Sequence, residues 1–235
     1  MGDIGRVLFA LGMGALGALS LIHADFILEW SAVPDALPAR TLFAYAQGAL
    51  LIAAGLALLF PATRSAAALA LAALWAIYAC FHIPLTLANW KAGVGGQAES
   101  LALVAMSLLL SEGPAAKRAR RYVFGLCMPA CGLVHFLYPD AVATWIPHWI
   151  PGPGLFWAYA TGAAHVAAGL AVLSGALAPL ASTLNAAMYG SWFLLLHIPR
   201  TIAAPQDRHE WTTTFVALAF NGGAWALMHI LRRKT

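Results

Sequence analysis

Histidine occurs eight times in this 235-residue chain, and four of those occurrences fall where an apolar stretch would end as a helix. His23 closes Ser-Leu-Ile-His, His135 closes Gly-Leu-Val-His, and His82 and His197 each open the tripeptide His-Ile-Pro. Glu99 and Glu210 open two further apolar stretches, 111 residues apart. Each half of the chain therefore offers two imidazoles and a carboxylate at similar depth: His23, His82 and Glu99 in one, His135, His197 and Glu210 in the other. Such donors suit copper, iron or zinc, held in each half or shared between them, as inward-facing ligands of a helical bundle. They equally suit a quinone, whose carbonyl needs a hydrogen-bond donor and whose reduction needs a titratable group. Plain interhelical hydrogen bonding is the alternative for any one of them.

His165 stands apart, about ten residues into its own apolar stretch, where an isolated imidazole is costly. Tyr159, Thr161 or another histidine could partner it. His165, His197 and the nearby Arg200 are the candidate catalytic groups, and Trp157 and Tyr159 the candidate cofactor contacts. His135, His197 and Glu210, with His165, are expected around one cavity. Cys127, Cys131 and His135 follow at i, i+4 and i+8 on one helix face. Successive members lie about 6 Å apart along a helix axis, so small cysteines at a helix contact explain them better than one metal ion. No nucleophile elbow, phosphate-binding loop or His-Glu-x-x-His motif occurs.

The elements that must carry these groups follow from composition. Only 9% of residues are charged and mean hydropathy is +0.78, so this surface does not face water. Hydropathy and breakers predict eight membrane-crossing helices near 4–26, 40–60, 65–89, 96–111, 121–138, 155–174, 179–201 and 210–231. The first could pass for a signal peptide but lacks a small-x-small cleavage site, and is expected to be retained. Arg6, Arg64, Lys117, Arg118, Arg120, Arg121, Arg232, Arg233 and Lys234 fall on one side, which makes both termini cytoplasmic in a multi-pass bacterial plasma membrane protein. Trp30, Trp90, Trp145, Trp149 and Trp211 are expected at the opposite interface, with Arg208–Trp211 as an anchor there. A net charge of +4 without a basic stripe excludes a nucleic-acid partner. The lipid bilayer is the expected partner.

The halves repeat one another. FAYAQGALLIAAGLALL (43–59) reads against WAYATGAAHVAAGLAVL (157–173), and the two His-Ile-Pro copies lie 115 residues apart. Offsets of 112 to 115 across four segments predict two parallel four-helix repeats, 1–113 and 114–235. The second is richer in ionisable groups, and any single active site is expected there.

GLVHFLYPD (132–140), WIPHWIPGPG (145–154) and YATGAAHVAAGLAVL (159–173) make the second half similar to the DoxX-like family of small four-helix membrane proteins. The resemblance is good over Gly132–Thr201 and looser in the first half. It implies a four-helix bundle and quinone-linked membrane redox chemistry, with His165 where that family usually has glutamate. The expectation is a metal- or quinone-linked membrane oxidoreductase, with a small-molecule substrate and a membrane partner subunit. A transporter, or a non-catalytic subunit of a membrane complex, is the alternative.

Overall fold

The computed structural model describes residues 2–232, and among them all regular structure is helical. The helices are α1 (Gly2–His23), α2 (Leu28–Ser31), α3 (Arg40–Leu58), α4 (Arg64–Ala88), α5 (Trp90–Leu109) and α6 (Pro114–Leu137). They continue with α7 (Pro139–Ala143), α8 (Gly154–Ser174), α9 (Ala178–Trp192), α10 (Ile198–Ala203) and α11 (Arg208–Arg232). A π-helical turn, Phe193–His197, joins α9 to α10, so Ala178–Ala203 is one continuous rod. The side chains of Lys117 and Arg118, and the residues Arg233 and Lys234 of the basic side, lie outside the described residues.

Six helices, α1, α3, α4, α5, α8 and α11, are long and apolar enough to cross a membrane. Their outward residues, among them Leu42, Leu56, Leu69, Ile77 and Leu170, are exposed. A surface made of such side chains is suited to lipid. The ends of the helices follow local chemistry. Asn89 accepts from Ala92 N–H at 3.3 Å, so α5 begins earlier than hydropathy suggests. Pro114 opens α6. Gly175, at φ +84°, ends α8 with its N–H on Ala171 O. Arg121 reaches the last carbonyls of α8, at 2.7 Å from both Val172 O and Leu173 O, where a cation also meets the negative end of the helix dipole.

The eight long helical segments pack in chain order: α1 on α3, α3 on α4, α4 on α5, α5 on α6, α6 on α8, α8 on α9, and α9 on α11. The last, α11, returns onto α1 and closes the ring, while α5 and α11 touch across its middle. Small residues set the seams. A Cβ at Gly222 would fall 2.3 Å from Phe9 N, which is why α11 can lie backbone-close to α1. Gly48 and Gly162, 114 residues apart, do the same job in the two halves, one against α1 and the other against α6.

The halves differ inside. In the first, Trp75 and Tyr78 on α4 and Leu51 on α3 are fully or almost fully buried, and Trp75 Nε1–H points at Met13 Sδ at 3.4 Å. Gln47 Nε2 donates to Ser20 Oγ at 2.6 Å, and the Tyr78 hydroxyl donates to Gln47 Oε1. Side chains fill the middle of that half. The second half keeps the aromatic-on-methionine pair, with Tyr189 OH 3.3 Å from Met128 Sδ, but it is hollow at one end.

Candidate functional site

The hollow is a cavity of about 440 Å³. Its walls come from α6, α7, α8, α9, the π turn and α11 of the second half and from α2 and α5 of the first. His135 on α6, His165 on α8 and His197 on the π turn all line it, with Glu99 from α5. Trp145, Trp192, Phe220, Val216 and Leu196 make the rest largely flat and apolar.

Hydrogen bonds fix two of the imidazoles. His165 Nδ1 lies 2.8 Å from Thr161 O, and Nε2 lies 2.9 Å from the Tyr189 hydroxyl. A carbonyl can only accept, so Nδ1 carries the proton and Nε2 of the neutral ring accepts from Tyr189 O–H. His135 Nδ1 lies 3.0 Å from Thr161 Oγ1 and 3.3 Å from Ala158 O, while the Thr161 proton is directed to Trp157 O at 2.7 Å. His135 Nδ1 is therefore a donor too, and its Nε2 is left as the acceptor. The two rings sit 5.1 Å apart, centroid to centroid, and both pack on Trp192. His197 differs: its Nδ1 is buried and has no hydrogen-bond partner.

The rod geometry explains how His197 arrives there. Trp75 and Tyr189 are 114 residues apart, but His82 and His197 are 115 apart, so one extra residue lies between them in the second half. The π turn at 193–197 accommodates it, with Ile198 N–H bonding back to Phe193 O. In the first half the same sequence stays α-helical through Pro84. Thr86 and Thr201, the fourth residues after each histidine, both donate to that histidine's carbonyl, at 2.9 and 3.0 Å. The device repeats, but only the second copy carries the π turn.

Charged side chains at this end are mostly paired. Arg200 grips Glu210 through two nitrogens, Nε to Oε2 at 3.0 Å, and its guanidinium covers the Trp145 ring at 4.0 Å. His209 meets Glu29 at 3.1 Å on the cavity margin. Asp25, in the link after α1, takes Arg40 at 2.7 Å and Arg208 at 3.2 Å. Burial alone would raise the Asp25 carboxyl, but Phe26 N–H, Arg208 and Arg40 together hold it below its usual value of 3.8.

The residues expected at the site divide accordingly. His135, His165 and His197 come together. Glu210 faces Arg200 and does not line the cavity. His82 is buried beside a second, smaller cavity, with its Nε2 3.3 Å from Trp30 O, and His23 is exposed at the end of α1. Trp157 donates to Pro151 O and Tyr159 stacks on Phe136, both away from the cavity. Trp30, expected at a lipid interface, is buried with its Nε1–H on Glu99. Trp90, Trp149 and Trp211 are the exposed ones. In the Arg208–Trp211 stretch, expected to anchor at the interface, Arg208, His209 and Glu210 form an ion-paired rim and Trp211 is exposed. Tyr189, Trp192 and the pairing of Glu99 with second-half histidines were not visible from spacing. Among the described residues no three His, Cys, Asp or Glu side chains are arranged to hold a metal ion.

Among the described residues, fold and site together define a duplicated, all-helical bundle with six potential membrane spans and a histidine-lined cavity at the junction of its halves. The chain belongs to the family described as "Domain of unknown function (DUF8561)", which matches it twice, over residues 12–111 and 124–221. Comparison with curated proteins and with solved structures gives no match.

Proposed function

We propose that this chain is a quinone-binding membrane protein of an oxidoreductase system. The observation that supports this is the cavity: flat aromatic walls with a hydrogen-bond donor site and an acceptor site of imidazole type, in a volume suited to a small molecule. His197 lines the cavity and its buried Nδ1 has no hydrogen-bond partner, so a small turn of the ring supplies an N–H to a quinone carbonyl. His135 Nε2 is free to accept from the corresponding quinol hydroxyl. The electrons reach the headgroup from a membrane partner subunit, and this chain supplies position and protons. The similarity to DoxX-like proteins supports the same direction.

In the bilayer, the proposal extends to eight crossing segments, with α6 and the rod 178–203 as the seventh and eighth. The repeats are parallel, both termini lie on the cytoplasmic side of a bacterial plasma membrane, and the cavity opens to the other side. Arg6, Arg64 and Arg121, at the opposite end from the cavity, support that orientation by the positive-inside rule.

The test is titration of the detergent-solubilised full chain with menadione, a naphthoquinone, read by quenching of tryptophan fluorescence. Saturable quenching is expected, and His197→Ala weakens it about fivefold, the worth of one hydrogen bond. Absence of saturation in the unaltered chain overturns the reading.

A further inference from the structure

Beside the histidine-lined cavity lies a second of about 350 Å³, bordered by His82, Leu85, Ala92, Gly93 and Gly96. The two cavities share three residues, Glu29, Trp30 and Glu99. Leu85 and the Glu29 side chain are each more than half exposed, at 52% and 53%, so the smaller cavity borders the molecular surface. His165, behind the partition, is 2% exposed. Glu99 thus stands between a surface-facing space and a buried one.

Its electrostatic situation is unlike that of its counterpart. Glu210, near the start of α11, is neutralised by Arg200. The residue 115 places before Arg200 is Leu85, which is uncharged and borders the smaller cavity. Among the described residues no cation pairs with Glu99, and its hydrogen bond comes from the neutral indole of Trp30. Glycine lets the His82 ring close on α5 at the vestibule wall: a Cβ at Gly96 would fall 2.2 Å from that ring. The partition is held by a strained link. Leu28 and Ala32, on either side of Trp30, have φ of 34° and 48°, a region that side-chain-bearing residues rarely occupy. The Trp30 carbonyl is fixed between His82 Nε2 and Ser100 Oγ. A carboxyl group kept without a compensating cation, between water and buried imidazoles, is suited to gaining and losing a proton rather than to holding a fixed charge.

We propose that the smaller cavity is the water- and proton-access vestibule of the larger one, and that Glu99 exchanges protons between them. Glu29, His82 and His209 lie on its vestibule and rim side, and Cys131, His135 and His165 on its inner side. A proton from bulk water joins the Glu99 carboxylate and leaves it toward the imidazoles when a bound molecule takes one. The inference rests on reading the larger cavity as a place of protonation chemistry, but its test needs no quinone.

The experiment treats the full chain in detergent with dicyclohexylcarbodiimide, which reacts with protonated carboxyl groups in apolar surroundings, and locates the adduct by peptide mass spectrometry. Glu99 is expected to be modified and the Arg200-bound Glu210 is not. Ala92→Trp fills the vestibule and slows modification of Glu99 about tenfold or more. Gly95 also borders the vestibule, and Gly95→Val is the milder filling variant, since a Cβ there meets Val134 at an ordinary 3.5 Å. Continued protection of Glu210 shows that each variant is folded. An unmodified Glu99 in the unaltered chain, or equal rates in all three proteins, overturns the inference. A chain that is modified at Glu99 yet shows no saturable menadione quenching keeps this inference and overturns the quinone reading.

Discussion

Leu51 and His165 occupy corresponding places in the two halves, and both are buried, yet one fills space while the other makes two hydrogen bonds. That one difference in side chain turns a packed core into a wall with chemistry. Tyr189→Phe is the sharpest probe of it, because it removes the O–H that Nε2 accepts and leaves the ring without a partner on that side. The expected loss is about 1–2 kcal/mol of stability, measured as a lowered thermal unfolding midpoint in detergent. The histidines themselves were legible as residues: a mid-stretch imidazole and two His-Ile-Pro copies stand out in so apolar a chain. Their true companion among the carboxylates was not. Glu99 and Glu210 look alike in sequence, and only the packing of α5 on α6 and α11 delivers Glu99 to the second half's cavity. The placing of Arg200 over Trp145 in turn takes Glu210 away. Trp30 was misplaced for a related reason. A tryptophan at a helix end signals an interface only when the link that carries it runs outward, and the left-handed residues around Trp30 turn it in.

At the scale of the helices, apolar runs and their breakers marked all eight long segments, with the largest errors at the starts of α5 and α6, where Asn89 caps one helix and Pro114 opens the other before its apolar run begins. What they could not mark was α2 and α7, two short helices inside links, or the π turn. The π turn has its own signature, the one-residue change of offset between Trp75/Tyr189 and His82/His197. It predicts an unusual tolerance. Deleting Leu194 removes the extra residue and leaves α9 and α10 in the register that α4 already uses, so the chain still folds, with a change of no more than about 1 kcal/mol. Deleting Ala187, within α9, turns everything beyond it by about 100° and scrambles the cavity wall. Size-exclusion profiles and thermal unfolding of the two deletion variants separate these outcomes, and equal damage from both would refute the insertion account.

Across the whole molecule, the ring is closed twice: by the backbone-close seam of α1 and α11, and by Asp25, which takes Arg40 from its own half and Arg208 from the other. The Asp25 carboxyl is held below 3.8, so its contribution is complete above that value and is lost as pH falls through the depressed one. Asp25→Asn should therefore unfold at a lower temperature than the unaltered chain near neutral pH. That gap should close as the pH is taken below about 4. A gap that stays constant with pH would assign the residue a purely steric role. The packed middle of the first half also bears on why the larger cavity can exist at all. An empty volume forgoes the dispersion contacts its lining would otherwise make, and a lone four-helix unit with that void has little else to hold it. Duplication changes the terms: a twin whose middle is packed with side chains, bound to the hollow one along two helix seams, serves as ballast. One copy is then free to keep the opening that ordinary selection for packing would have closed.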